Sequence, residues 1–429
     1  MQPGTWVCRL ASFALLGAMT FAGSARAAGM QCDRGCLRGF IDAYLDAMVA
    51  HDPGRVALAD DVRFTEDAAV LDVGEGLWKT ASGVSGYRQD IIDVRAGIAA
   101  SQVKIEENGR AALLVLRLGV VDKKIAEIET MVVRSAAEGV IFDVDGLTQA
   151  NDAMAVVPPP SQRAAREDAV EIAALYPAGL KAGSFVAVDA PFASDAYRFE
   201  NGRLMAGPGC TFMPGCEDIK SQRIPTLAEI RYRVAAVDAE QGIVLLRLDF
   251  GAGSVREPDE SLIVWEAFKV YGGQIHAVEA FMERSAKDSG SGWEDEALGY
   301  DPAVDPFEQV RSAQVRAQAS HKLVLVMAGG EWCIWCHYLH AFLERNADIG
   351  HALEGTFVVV KAYFGEKNEN DAFFSTLPKA AGYPHFWVLS ADGTLLESQN
   401  TLPLENGDKS YDRRNFMAFV DQWSARLAR

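Results

Sequence analysis

The sequence predicts a multidomain protein that combines the α+β and α/β classes, with two similar α+β domains followed by one α/β domain. Three observations support this prediction. The 429-residue chain is long enough for about three domains. Segments 156–160 and 286–305 have the composition of linkers, the first rich in Pro and the second in Ser, Gly and Asp. The blocks 28–155 and 161–285 share one order of helix and strands, whereas residues 306–429 alternate strands with helices.

The first 27 residues have the pattern of a secretory signal peptide. Arg9 is the only charged residue before an apolar stretch from Leu10 to Ala22, and Ala25-Arg26-Ala27 forms a small-residue cleavage site. The apolar stretch is too short to anchor the chain in a bilayer. We therefore expect a periplasmic or secreted protein without membrane insertion.

The composition is acidic. The full chain has 41 Lys and Arg residues against 59 Asp and Glu residues, which gives a formal net charge of −18. Removal of the signal peptide takes away Arg9 and Arg26 and makes the chain more acidic. A surface with this balance repels phosphate groups, so we expect neither nucleic acid nor an anionic membrane among the partners.

The cysteines that follow the signal peptide form three pairs at short spacing: Cys32 with Cys36, Cys210 with Cys216, and Cys333 with Cys336. Closely spaced, even-numbered cysteines in an exported protein favour disulfides. Segment 210–216 is typical of a stapled loop. The first pair is predicted to be structural, although the sequence leaves its bonding open. The spacings do not match a zinc site, so we expect no metal and no cofactor.

The two α+β blocks have matching patterns. An amphipathic helix from Leu37 to Val49 opens the first block, and the segment from Glu167 to Tyr176 occupies the same place in the second. The apolar strands that follow are aligned between the blocks as 111–118 with 242–248 and 128–134 with 262–270. This alignment predicts an additional last strand, 275–282, in the second block.

A leading helix followed by long curved strands resembles the cone fold of the nuclear-transport-factor-two-like (ketosteroid-isomerase-like) proteins. The resemblance implies two cone-like α+β domains, each with a pocket. Some proteins of this fold are isomerases or dehydratases that use a carboxylate base. The candidate pocket residues are Tyr44, His51, Glu66 and Trp78 in the first domain, and Tyr197, Glu200 and Glu266 in the second. Each of these side chains is more often an ordinary part of the fold or surface.

The most informative motif is Glu331-Trp332-Cys333-Ile334-Trp335-Cys336-His337. It follows the apolar run 323–327 and precedes a segment with helical spacing. The first thiol is thus predicted on the first turn of a helix, where unpaired N–H groups and the macrodipole favour the thiolate. We expect Cys333 to be the exposed attacking cysteine and Cys336 to face the core and resolve mixed disulfides.

Two other interpretations compete for this motif. One is an inert disulfide staple. The other is covalent haem, because residues 333–337 also fit the Cys-x-x-Cys-His attachment pattern. The surroundings argue against haem, since the motif follows a β-rich run and the bulky Trp335 lies between the two thiols.

The downstream segments resemble the thioredoxin superfamily. A strand at 357–361 is followed by Tyr383-Pro384 immediately before strand 386–389, a turn at 391–393 and a closing amphipathic helix at 415–427. The resemblance covers residues 306–429 and implies a thioredoxin-like α/β domain. It also implies a cis bond before Pro384, with the proline against the active-site disulfide. The substrate-binding residues would be Trp332, Trp335 and Tyr383.

Residues around the cysteines are expected to tune their chemistry. Many members of this superfamily carry a buried acid six residues before the first cysteine, and Met327 occupies that position here. Lys361 matches a lysine often found beside that acid. Deprotonation of Cys336 then falls to Glu331, His337 or water. A positive charge on His337 would favour the reduced thiolate form.

These expectations describe an exported thiol–disulfide oxidoreductase that acts on thiols and disulfides of proteins or small molecules, including a redox partner protein. The repeat would provide selectivity for a partner or ligand. The direction of electron flow stays open among reductase, oxidase and isomerase. Two alternatives remain: a ligand- or partner-binding protein with an accessory redox domain, and an isomerase- or dehydratase-like enzyme in the repeat.

Overall fold

The computed structural model describes six stretches of the chain: residues 32–148, 150–227, 230–251, 260–286, 298–407 and 409–427. The predicted signal peptide, residues 1–27, lies outside the described residues. Residues 287–297 of the predicted linker also lie outside them. Within the described stretches, no helix is long and apolar enough to cross a membrane.

The first domain is a helix packed on a six-stranded sheet. Helix α1 (Arg34–Val49) begins after Asp33, whose side chain accepts the N–H of Cys36 and so caps the helix. The strands are β1 (Leu58–Glu66), β2 (Ala69–Val70), β3 (Ala81–Asp93), β4 (Ile98–Glu107), β5 (Arg110–Val121) and β6 (Lys124–Val133). Their order is β2-β1-β6-β5-β4-β3, with β1 parallel to β6. The apolar face of α1 is buried against one face of this sheet.

Two short helices, α2 (Ala136–Gly139) and α3 (Asp152–Ala155), lead to the second domain, which has the same topology. Helix α4 (Arg166–Ala182) comes first. The strands that follow are β7 (Phe192–Glu200), β8 (Arg203–Ala206), β9 (Ile230–Asp238), β10 (Ile243–Phe250), β11 (Glu260–Tyr271) and β12 (Gln274–Ala286). Their order is β8-β7-β12-β11-β10-β9, with β7 parallel to β12.

The observed topology corrects the strand alignment between the two blocks. Strand β5 is the third of four successive antiparallel strands in its sheet, and the third in the second sheet is β11 rather than β10. Residues 111–118, which lie in β5, therefore correspond to β11. The sequence alignment pairs them with 242–248, which lie in β10, the preceding strand. Strand β12 is the counterpart of β6 and is not an additional strand. Both runs are buried apolar central strands, so hydrophobicity alone could not distinguish them.

The two sheets pack face to face around a shared apolar layer that includes Leu113, Val115, Leu245 and Trp265. Their edges are joined by reciprocal ion pairs. Arg34, the first residue of α1, binds Asp238 at the end of β9, with N–O distances of 2.8 Å. Arg166, the first residue of α4, binds Asp93 at the end of β3. Each carboxylate also accepts a backbone N–H of the opposite domain. The two domains thus form a pseudo-twofold pair.

The C-terminal domain is a four-stranded mixed sheet covered by helices on both faces. Its elements are α5 (Pro306–Ser320), β13 (Leu323–Gly329), α6 (Ile334–Arg345), α7 (Ala347–Thr356), β14 (Phe357–Tyr363), α8 (Asp371–Phe374), β15 (His385–Leu389), β16 (Leu395–Asn400) and α9 (Arg413–Leu427). The order is β14-β13-β15-β16, with β13 parallel to β14 and antiparallel to β15. The three mixed sheets confirm the predicted multidomain α+β and α/β class.

Charged side chains dock the C-terminal domain onto the repeat. Asp348 on α7 is fully buried and accepts hydrogen bonds from Arg166 of the second domain and from Arg413 on α9, with N–O distances of 2.8 Å. Arg413 also binds Glu167 at 2.9 Å. Because Arg166 reaches Asp93 of the first domain as well, this cluster joins all three domains.

Candidate functional site

The Cys-x-x-Cys motif lies where β13 passes into α6. Cys333 is the N-cap of α6, and its Sγ accepts the backbone N–H of Cys336 at an N–S distance of 3.2 Å. The two cysteines form a disulfide, with their Cα atoms 5.2 Å apart. Free N–H groups and the positive end of the helix dipole favour negative charge on the sulfur at this position. The local sequence therefore supplies the conditions for a reactive thiolate at Cys333.

The burial of the cysteines differs from the expectation of an exposed attacker. Cys333 is only 4% exposed, and Cys336 is 3% exposed. Both belong to a buried cluster with Leu298, Tyr300 and Tyr363. Leu298 and Tyr300 come from the predicted linker, so this part of it is packed on the domain rather than open. Leu298 and Tyr300 therefore contribute to the cluster in which both sulfurs are buried.

The predicted substrate-binding aromatics all lie near the cysteine cluster, since Trp335 and Tyr383 pack against it and Trp332 contacts Tyr383. Trp332 is 52% exposed, and its indole Nε1 donates to the Phe364 carbonyl at 2.5 Å. Its ring meets Tyr383 edge-on at a centroid distance of 5.5 Å, and Tyr383 stacks on Phe364 at 4.7 Å. Trp335 instead packs against two other aromatic rings, those of Tyr338 and Tyr411. Trp332, Phe364 and Tyr383 therefore form one aromatic patch, in which Trp332 is exposed and the other two rings are half-buried.

Pro384 follows Tyr383 through a cis peptide bond. The proline is buried at the start of β15, and its carbonyl accepts the hydroxyl of Thr401 at 2.8 Å. The Tyr383 side chain packs against the cluster that contains both cysteines. The turn before β15 therefore lies beside the disulfide.

The three tuning residues, Glu331, His337 and Lys361, lie in two separate places, and Met327 lies beside one of them. Met327 is buried, and its neighbour across the sheet is Lys361 on β14. Glu331 and His337 are exposed, and the His337 ring Nε2 lies 2.8 Å from the Glu331 carbonyl oxygen. The imidazole is therefore held against the backbone that leads into α6.

The candidate pocket residues of the first domain do come together. The indole Nε1 of Trp78 donates to the Tyr44 hydroxyl at 2.9 Å, and a ring nitrogen of His51 lies 2.5 Å from the Trp78 carbonyl oxygen. The Glu66 carboxylate accepts the N–H of Leu77 at 3.0 Å. Burial raises the pKa of Glu66 to about 7. These contacts fix a short 3-10 turn, 76–79, against α1 and the sheet.

The candidates of the second domain are separated by the sheet. Glu200 and Glu266 lie on the same face of the sheet as Arg198. The Arg198 guanidinium pairs with Glu200 at 2.8 Å and donates to the Tyr176 hydroxyl at 3.1 Å. Burial raises the pKa of Glu266 to about 8, and Arg198 opposes that rise. Tyr197 lies on the other face, in the layer between the two sheets. Strand alternation places consecutive residues on opposite faces.

The other four cysteines in the described part of the chain are bonded as two short-range disulfides. Cys32 is joined to Cys36 at the start of α1, with a Cα separation of 5.2 Å. Cys210 is joined to Cys216, with a Cα separation of 5.7 Å, and closes the loop after β8. Neither pair lies in the aromatic cluster around Cys333.

Sequence reasoning missed Leu298, Tyr300 and Phe364 at the site. The first two follow a polar, Gly- and Ser-rich stretch, and nothing in their local pattern indicates that they are buried. Phe364 immediately follows the apolar strand β14. Its position at the end of that strand was the one feature of the sequence that could have indicated a place at the site.

Comparisons with known proteins give two similarities. The family model described as "Domain of unknown function (DUF8021)" matches residues 162–282, which correspond to the second domain. The crystal structure of a disulphide isomerase from Xylella fastidiosa Temecula1 is 25% identical to this chain, covers 30% of this chain and 99% of its own, and has a TM-score of 0.27. Comparison with curated protein sequences found no match.

Proposed function

We propose that this protein is an exported thiol–disulfide oxidoreductase with a thioredoxin-like C-terminal domain. The observation that carries the proposal is the place of Cys333 as the N-cap of α6, bonded to Cys336 one turn further on. The N–H of Cys336 approaches the Cys333 sulfur at 3.2 Å. This donor and the helix dipole both stabilise a thiolate at Cys333 more than at a position inside the helix.

The exchange has two balanced steps. An external thiolate attacks the Cys333 sulfur, so a new S–S bond forms while the Cys333–Cys336 bond breaks and Cys336 leaves as a thiolate. A second external thiolate attacks the external sulfur of this mixed disulfide and displaces Cys333 as a thiolate. Two external thiols become one disulfide, and the protein accepts two electrons. In the reverse direction Cys333 attacks a substrate disulfide and Cys336 resolves the mixed disulfide.

We also propose that partner selectivity comes from the surroundings of the motif. The exposed apolar side chains beside it are Trp332 and Ile334, which are 52% and 57% exposed. An aromatic and aliphatic patch next to the attacking sulfur suits an apolar segment of a partner protein. The buried Asp348 cluster holds this patch in one orientation relative to the repeat, so the repeat limits the directions of approach.

The alternative in which the repeat is an isomerase or dehydratase has weaker support. Such an enzyme needs a carboxylate base that can reach a substrate proton. In the first domain, both oxygens of Glu66 lie within 3.1 Å of the Leu77 N–H. In the second domain, Glu266 is buried and enclosed by Tyr176, Arg198 and Glu200. The observations that favour this alternative are the raised pKa values, about 7 at Glu66 and about 8 at Glu266.

The test is reduction of insulin by the mature full-length chain with dithiothreitol as electron donor. We expect Cys333→Ser to reduce the rate to the uncatalysed level, because no sulfur remains at the helix start. A matched control, the double variant Cys210→Ser/Cys216→Ser, removes a disulfide elsewhere and should keep the wild-type rate. A Cys333→Ser variant as fast as wild type would contradict the proposal.

A further inference from the structure

The disulfide is covered by a segment that precedes the C-terminal domain. Leu298 and Tyr300 are 2% and 8% exposed, and both belong to the cluster that buries the two sulfurs. They lie before α5, the first helix of the domain. The cover is thus a segment of the chain that joins the repeat to the domain, and not an element of the sheet.

Gly329 makes room for this cover. A Cβ atom on Gly329 would lie 2.4 Å from the Cys336 sulfur and 3.0 Å from both Cζ and the hydroxyl oxygen of Tyr300. Real Cβ atoms essentially never lie closer than 3.0 Å to another atom, so the contact with the sulfur excludes a side chain at this position. The Cys336 sulfur and the Tyr300 ring therefore both occupy the space over the bare backbone at the end of β13 that a side chain would need.

The backbone between Leu298 and Tyr300 also packs closely on the C-terminal domain. Gly299 has φ +76°, a left-handed conformation that favours glycine. A Cβ atom there would lie 3.3 Å from Cδ of Lys361. Leu298 and Tyr300 on either side of this glycine are both directed into the cluster around the cysteines. The turn at Gly299 thus lets two side chains of one short segment cover the same disulfide.

The Tyr300 side chain is expected to act on the disulfide by its bulk and not by charge. Burial raises the pKa of Tyr300, so its hydroxyl stays neutral over the pH range in which thiols react. It places no charge beside the sulfurs. The effect on exchange should then come from the volume of the ring, and removing only the hydroxyl should change little.

We propose that Leu298 and Tyr300 form an intrachain cover that determines which thiols reach Cys333, with Tyr300 as the specificity-determining residue. This inference rests on the proposed thiol–disulfide exchange. A small dithiol needs only one sulfur aligned with the Cys333–Cys336 bond. A cysteine in a polypeptide brings its backbone to the same place and has to displace the cover. The cover thus slows polypeptide thiols more than small thiols, and a partner protein that binds the exposed patch has to displace the cover before it reacts.

The experiment measures reduction of the Cys333–Cys336 disulfide in the full mature chain by two probes, dithiothreitol and reduced unfolded ribonuclease. In Tyr300→Ala we expect the rate with ribonuclease to rise about tenfold, and more than the rate with dithiothreitol, because access limits thiol–disulfide exchange. Tyr300→Phe keeps the ring and should behave as wild type. Val304→Ala, an exposed position in the same segment, is the matched control and should also leave both rates unchanged.

Leu298→Ala is the second variant, in case Tyr300→Ala does not fold. It removes the other covering side chain and should raise the ribonuclease rate in the same direction. Equal rates in wild type and in the folded cover variants would overturn the cover while leaving the proposed exchange intact. Failure of the wild type and every variant to exchange with either probe would overturn both. A ribonuclease rate that rises no more than the dithiothreitol rate would overturn the assigned selectivity.

Discussion

Replacing Asp348 with asparagine tests how the C-terminal domain is held on the repeat. Asp348 is fully buried on α7 and accepts hydrogen bonds from Arg166 and Arg413. Asp348→Asn preserves the shape of the side chain and removes its charge. Each arginine keeps another carboxylate partner, since Arg166 binds Asp93 and lies 3.9 Å from Glu167, and Arg413 binds Glu167.

The expected loss follows from the burial of this cluster. Removing one partner of a buried ion pair costs roughly 3–5 kcal/mol, because the remaining charge stays out of water. The other carboxylates reduce this cost, so we expect about 3 kcal/mol for Asp348→Asn. The exposed pair Arg95–Asp421 also joins the first domain to α9. An exposed pair contributes about 0.2–1 kcal/mol, so Asp421→Asn is the matched control.

The assay is hydrogen–deuterium exchange of helix α7, residues Ala347–Thr356, which reports the free energy of local opening. We expect Asp348→Asn to lower this free energy by about 3 kcal/mol. Asp421→Asn should lower it by less than about 1 kcal/mol. Equal protection of α7 in wild type and Asp348→Asn would refute the reasoning, since the cluster would then contribute nothing to docking.

The same cluster predicts a pH dependence. The two arginines hold the pKa of the Asp348 carboxyl well below its ordinary value. The stabilisation is therefore fully present above the pKa of an unfolded Asp, about 3.9, and decreases as the pH falls below it towards the lowered folded value. In Asp348→Asn this part of the acid dependence of α7 protection should disappear.

Three further outcomes are expected. With oxidised glutathione, reduced Cys336→Ser should accumulate one mixed disulfide by mass spectrometry, and reduced Cys333→Ser should not; the reverse pattern would exchange their roles. Protein made with the cytochrome maturation machinery should contain no covalent haem, and a pyridine-haemochrome absorption band would contradict this. Because burial raises the pKa of Glu266 from 4.5 to about 8, its contribution to stability should be lost as the pH rises through that range. Glu266→Gln should have a smaller decline in urea midpoint over that range, and an unchanged decline would count against burial as its cause.

The order and class of the domains could be predicted because their signals are local. Strand β13 was expected at 323–327 and spans Leu323–Gly329, and the closing helix was expected at 415–427 and spans Arg413–Leu427. Apolar periodicity reports which residues of one segment share a buried face. The place of Cys333 at a helix start follows from the same pattern, since the motif lies between an apolar strand and an amphipathic helix.

The local apolar pattern could not determine which segments contact each other in the folded chain. The equivalence of β5 with β11 depends on strand order, because several buried strands have the same apolar composition. Tyr300 covers the disulfide through contacts with residues about thirty positions further along the chain, and no periodicity in its segment encodes them. Asp348 and Arg166 are 182 residues apart in sequence.

By itself, the sequence determined the domain classes, the repeated pattern and a cysteine pair at a helix N-terminus, because each depends on neighbouring residues. Only the tertiary structure decided that Cys333 is buried, that Glu200 lies with Glu266 while Tyr197 faces the other sheet, and that a cluster around one buried carboxylate joins the three domains. These features depend on burial and on pairing across domains. A buried charge is stable only beside its partner, and that partner is chosen by the packing of the whole chain.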